Sequence, residues 1–206
     1  MGQYYKPIVL KDSNRAKNPV EATLTSWDFN NGAKLMEHSY VNNDLVSAFE
    51  SLIYEDPDNF INNGLFTGRR VAWSGDYADP YKKDGEVNLY EFASEDEVSA
   101  KSKKFAAMLT IRLESGKLKS HRYIINHTKH LYIDITKLKK NKWDMTIHPL
   151  PILISDGNGR GGGDYDGTAM DMVGKWYKNR VVVSDTIKHV QDKYKEIEVH
   201  FDEDRN

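Results

Sequence analysis

The sequence predicts an α+β fold, mainly antiparallel sheet with two or three helices. Three observations lead there. Short segments alternating apolar and polar residues recur along the chain between turn-forming residues, as half-buried strands do. Leu45, Ala48, Phe49, Leu52 and Ile53 fall at i, i+3, i+4, i+7 and i+8, the spacing of one helix face. Ser94-Glu-Asp-Glu97 has the form of a capping box, which opens a second helix.

Tyr4 to Leu10 reads as a strand, and Val20 to Phe29 as another in which Ala22, Leu24 and Ser26 alternate with Thr23, Thr25 and Trp27. Asn42 or Asn43 caps the amphipathic helix, and Pro57 stops it. Arg69 to Ser74 is a strand running into the turn Gly75 to Asp79, beyond which Pro80 prevents regular continuation. Val87 to Phe92 reads as a short strand. The helix opened at Ser94 runs toward Lys104. Phe105 to Leu113 is ambiguous, since alanine and methionine favour helix whereas Thr110 and Ile111 favour strand.

Arg122 to Asn126 and Leu131 to Ile135 pair across the turn His127 to His130. Met145 to Ile154 is apolar, but Pro149 and Pro151 bar a regular central strand. Val181 to Ser184 is a strand and Thr186 to Tyr194 a short helix with Ile187, Val190 and Tyr194 on one face. Ile197, Val199 and Phe201 alternate in a last strand, and the acidic end from Asp202 to Asn206 is expected to fray.

A chain of 206 residues fits one domain and buries about 70% of its unfolded surface without a disulfide or metal staple. The absence of cysteine excludes disulfides, thiolate catalysis and cysteine-held zinc or iron–sulfur sites, and fits a reducing cytoplasm. The opening residues lack the apolar core of a secretion signal, and no stretch approaches the roughly 18 apolar residues of a membrane span. Lys6 stands where a myristoylation signal needs serine or threonine. The expectation is a cytoplasmic protein without a membrane partner.

Residues 101 to 142 hold twelve lysines and arginines against Glu114 and Asp134, about +10 in a chain whose net charge is −2. Such a segment suits an anionic partner. A lysine-rich solvent face is the simpler explanation, and the scarcity of arginine argues against specific nucleic-acid binding.

The run Asp156-Gly-Asn-Gly-Arg-Gly-Gly-Gly-Asp164 places five glycines in nine residues. Glycine loses the most conformational freedom on folding, so this loop must serve positive φ angles or a close approach to the main chain. Successive N–H groups in such a loop can hold an anion, with Arg160 adding a cation. It is no P-loop, because Lys-Ser/Thr is missing, and its GxGxxG match follows a proline-broken segment with no obvious helix after it. As a calcium loop it fails at Arg160 and at Gly167, where a bidentate glutamate is required, and magnesium on Asp156, Asp164 and Asp166 fares no better. His38 with Glu37, and His121, His127, His130 and His148, offer bases or ligands but no HExxH. No GxSxG elbow is present, so no catalytic residue is assigned and the chain leans away from enzymes. The Asp76 and Asp79 pair, beside Trp73 and Tyr77, can contact a base or sugar, although a turn-forming Gly-Asp explains the same residues.

An internal echo links two halves, about 1–95 and 105–206. His38, Gly64, Arg70, Val71 and Ser74 recur 110 positions later as His148, Gly174, Arg180, Val181 and Ser184, with Phe66 opposite Trp176.

The opening MGQYYK, the segment Lys34 to Val41, WSGDYAD at Trp73 to Asp79 and DGNGRGGGDY at Asp156 to Tyr165 together resemble a family of small phage and bacterial proteins. The chain departs from that family's Gly-Ser-Trp-Ala pattern at Gly174-Lys-Trp-Tyr177. The resemblance implies a phage or mobile-element accessory protein acting in the cytoplasm of a bacterial host cell and assigns no catalytic residue. The residues themselves suggest a non-enzymatic domain that binds an anionic, nucleotide-like small molecule without cofactor or metal. Its contacts are expected at Asp156, Asn158, Arg160, Gly161, Gly162, Gly163, Asp164 and Tyr165, with Trp73, Asp76, Tyr77 and His38. The alternatives are a protein-interaction module directed at a host protein and, third, a metal-assisted phosphodiester hydrolase.

Overall fold

The computed structural model describes residues 1–13, 16–29, 32–116 and 118–203. Among them are five α-helices and two four-stranded mixed sheets, an α+β fold.

The first sheet joins β1 (Tyr5–Leu10), β2 (Val20–Thr23), β3 (Arg70–Gly75) and β6 (Ser155–Asp156) in the order β2-β1-β3-β6. The second joins β4 (Tyr123–Asn126), β5 (Leu131–Asp134), β7 (Val181–Ser184) and β8 (Lys195–Glu196) as β7-β4-β5-β8. Both are antiparallel except for their two-residue edge strands, β6 beside β3 and β8 beside β5. Strand alternation sends Trp73, Val71, Ile124, Ile133, Val181 and Val183 into one large core that draws on both halves of the chain.

Helix α1 is the single turn Leu35–His38, and α2 (Asp44–Ile53) is capped by Asn43, whose side chain accepts from Leu45 and Val46 N–H. Every residue of α2 after Asp44 is buried, Glu50 included, so the amphipathic stripe understates its central position. Glu50 meets the N-cap residue of α5 (Pro149–Leu153), the equally buried His148, at 3.1 Å.

Several sequence expectations change. The second strand stops at Thr23, because Thr25 Oγ1 donates to Asp28 and the chain turns into a 3-10 helix over Ser26–Phe29. Val87 to Phe92 is not a strand. A reciprocal capping box between Asn88 and Glu91 starts α3 (Leu89–Ser94), and Ser94 ends that helix instead of capping the next. Helix α4 (Asp96–Glu114) then takes in the ambiguous Phe105 to Leu113, burying Val98, Ser102, Ala106 and Leu109 along one face. Thr186 to Tyr194 forms tight turns on Ile187 and Val190 carbonyls, and Val199 and Phe201 are buried beyond β8 without strand pairing. At the acidic end, Asp202 is held by Tyr165 and Thr168, while residues 204–206 lie outside the described residues.

The echoed residues have matching backbones. Thr67 N–H donates to Gly64 and Arg69 N–H to Phe66, as Tyr177 N–H donates to Gly174 and Asn179 N–H to Trp176. Phe66 N–H reaches the end of α2 at Leu52, and Trp176 N–H the end of α5 at Leu153, each at 2.8 Å. Gly68 and Lys178, 110 positions apart, both have positive φ, 75° and 60°. The chain after α5 runs parallel to β3, with Ser155 opposite Trp73, and the chain after α2 runs parallel to β7, with Tyr54 opposite Val183. Each half therefore lends its post-helix edge to the other half's sheet. Arg70 and Arg180 face each other in an antiparallel bridge where the two halves meet.

Candidate functional site

The glycine loop leaves β6 and folds over the start of the chain. Gly162 exchanges hydrogen bonds with Met1 and Gln3, its N–H donating to Met1 O (3.0 Å) and its carbonyl accepting from Gln3 N–H (3.1 Å). The Gly163 carbonyl accepts from Met36 N–H at 3.0 Å. A Cβ on Gly161 would stand 2.5 Å from Gln3 Cβ and 2.8 Å from Gln3 N. The missing side chains thus admit another stretch of backbone, residues 1–5.

The loop's N–H groups do converge on an anion, and that anion belongs to the chain. Asp164 Oδ2 accepts from Gly159 N–H (2.7 Å), Arg160 N–H (2.8 Å) and Gly161 N–H (3.0 Å), while Oδ1 accepts from the Tyr5 hydroxyl (2.9 Å). Burial, reinforced by the Asp164 charge, pushes the Tyr5 phenol far up, so it stays a donor. Arg160 is engaged as well. Its guanidinium forks onto both oxygens of Asp79, with Nη1 at 2.7 Å, and reaches the Tyr77 carbonyl at 3.0 Å. Hydrogen bonding from Arg160 holds the Asp79 carboxyl below its usual range. Asn158 closes the loop by bonding both N–H and C=O of Tyr165.

The remaining expected residues disperse. Tyr165 is buried, its hydroxyl bonded to Thr168 O at 2.6 Å and accepting from Asp202 N–H. Trp73 is fully buried, and its Nε1–H donates to His38 Nε2 at 2.8 Å, while His38 Nδ1 lies 3.0 Å from Gly32 O. Burial lowers His38 to about 4. These two side chains are core, not ligand contacts. Asp76 accepts from Tyr4 N–H at 3.0 Å, and Tyr77 is exposed at the rim.

Asp156 faces a separate cleft of about 390 Å³ with Gly157, Asn158, Met170, Val173, Gly174 and Tyr177. Burial raises the Asp156 carboxyl against the opposing hydrogen bond from Tyr177. A carboxylate here repels an anion, so the cleft does not take over the role expected of the loop. Among the described residues no group of three or more histidine and acidic side chains is placed to hold a metal ion.

A different surface gathers what the sequence reading passed over. A groove of about 620 Å³ runs between α4 and residues 61–65, walled by Ile61, Leu65, Met108, Leu118 and the cations Arg112 and Lys119. Its one signal in the sequence was Phe60-Ile61 inside the polar run Asp56 to Asn63.

No family model matches the chain, and no curated protein or solved structure matches it either. No helix among the described residues is long and apolar enough to cross a membrane.

Proposed function

We propose that this chain is a protein-interaction module in which the glycine loop is an internal clamp. The observation that carries the reading is the exposure of Phe60 and Ile61 (80% each), Ile111 (67%), Leu65 (64%) and Met108 (41%) on and beside helix α4, which carries Lys101, Lys103, Lys104 and Arg112. Scattered surface hydrophobics need no explanation, but large apolar side chains gathered along one charged face mark association surfaces. The motif resemblance supplies the setting, a phage or mobile-element accessory protein acting on a host factor in a bacterial cytoplasm.

The ranking against a nucleotide-like ligand follows from occupancy. Such a ligand would have to displace Asp164 from three N–H groups, losing charge-assisted bonds of about 1.5–3 kcal/mol each, and would also have to compete with Asp79 for Arg160.

The deciding experiment is quantitative co-purification of the tagged chain from bacterial cells. The partner is expected to be lost on charge reversal of Lys103 and Lys104 and kept with Arg160→Ala; the opposite pattern rejects the module. Thermal shift on the same preparations reads the ligand alternative. Asp164→Gly should gain a sulfate-dependent stabilisation that the wild type lacks, whereas a nucleotide-dependent shift in the wild type, lost with Arg160→Ala, would restore the loop as a binding site.

A further inference from the structure

We infer that the groove between α4 and residues 56–66 receives an acidic amphipathic helix of a partner protein. This rests on the interaction-module reading and names its surface and the chemistry of its occupant.

Rigidity comes first. The segment that displays Phe60 and Ile61 is exposed yet locked by its own polar side chains. Asp56 accepts from Asp58 N–H, Asn59 N–H and the Asn62 amide, Asn59 accepts from Ile61 N–H, and Asn63 accepts from Asp56 N–H. Gly64 N–H donates to Tyr54 O at 2.8 Å, and a Cβ on Gly64 would stand 2.5 Å from the Leu52 carbonyl group, so the segment lies tightly against the end of α2. Large apolar side chains held outward on a fixed loop lose little entropy on association.

The opposite wall is as firm. Met108, Ile111 and Arg112 fall at i, i+3 and i+4 on the exposed side of α4, whose other face is anchored by Val98, Ala106 and Leu109. At the end of the groove His121 stacks on Tyr54, ring centroids 4.3 Å apart, and meets Asp185 at 3.3 Å. That contact engages Asp185, the one carboxylate among the described lining residues.

Charge then selects the occupant. Arg112 and Lys119 are exposed, and among the described residues neither side-chain cation has a hydrogen-bond or ion-pair partner. An open groove with apolar walls and two unpaired cations fits a helix that inserts apolar residues at i, i+4 and i+7 and carries carboxylates on its flanks. A basic helix would leave both cations facing like charge.

The test uses the full chain against a display library of 16-residue helical peptides with a fixed apolar stripe and randomised flanks. Enrichment of aspartate and glutamate in the flanks is expected. Synthetic winners, followed by fluorescence anisotropy, should bind at least tenfold more weakly to Leu65→Glu and to Arg112→Glu, and more weakly at high salt. Both substitutions sit on exposed side chains, and an unchanged melting temperature checks that each variant is folded. No enrichment, basic flanks, or winners indifferent to both variants would overturn the inference. So would a wild-type dimer in sedimentation velocity that Leu65→Glu dissolves, because a second copy would then occupy the groove. If co-purification of a host protein survives Leu65→Glu but not reversal of Lys103 and Lys104, the groove fails while the module stands.

Discussion

His38 shows how one side chain can change meaning between sequence and structure. Beside Glu37 it has the look of a base, but its ring lies in the core with Trp73 Nε1–H on one nitrogen and the Gly32 carbonyl at the other. Burial depresses its pKa from 6.5 to about 4, so between those values the unfolded chain binds a proton that the folded chain refuses. The sign follows directly: the stability linked to His38 is complete above pH 6.5 and drains away as pH falls toward 4. The gap is worth about 3 kcal/mol. Urea unfolding of wild type and His38→Gln from pH 7 to 4 should converge by that amount, and parallel curves would remove His38 as the titrating group. Asp164 underwent the same reversal. The sequence marks a nest for an anion, and only the folded chain reveals that the anion lies three residues beyond Gly161.

At the scale of elements, legibility tracked locality. The strands β1, β3, β4, β5 and β7 and the helix α2 could be read because alternation, helical spacing and the Asn43 cap are local signals. Leu89–Ser94 departs from the strand expected there: Val87, Leu89 and Phe92 suit a strand, but the Asn88–Glu91 capping box and burial of Leu89 and Ala93 decide for helix. The glycine loop was legible as a demand for bare backbone but not as to what approaches it, since its partners are distant in the chain: Tyr5 is 159 residues from Asp164, and Asp79 81 residues from Arg160. Two neighbouring glycines separate the possibilities. Gly161→Ala should cost about 1–3 kcal/mol, because its Cβ would meet Gln3 backbone that cannot yield without lifting residues 1–5 off the loop. At Gly162 the nearest atoms to a Cβ are 3.7 Å away, so Gly162→Ala should be close to neutral. Chemical denaturation gives the energies, and hydrogen exchange at Gln3 N–H should speed up in the first variant alone. Equal effects at both positions would mean that backbone conformation, not the N-terminal strand, sets the need for glycine.

Across the whole molecule, the two halves depend on each other through exchanged edges. β3 in the first half needs β6 from the second, and β7 in the second is bridged by Tyr54 from the first. The large core likewise mixes Phe49 and Trp73 with Trp176, Ile124 and Val183. A chain cut after the exposed Gly116 therefore leaves two pieces that each lack a sheet neighbour and half a core. Residues 1–116 and 117–206 should each be largely unfolded by circular dichroism and near-featureless by amide NMR. Mixed at equal concentration they should recover the native spectrum, with a melting temperature that rises with concentration because folding has become bimolecular. If either piece folds alone, the exchanged edges are an accessory, and the matching backbones at Gly64 and Gly174 belong to two self-sufficient units. Reconstitution only on mixing would make the exchange the interaction that unites the fold, holding β3 and the Gly75 to Asp79 turn beneath the glycine loop.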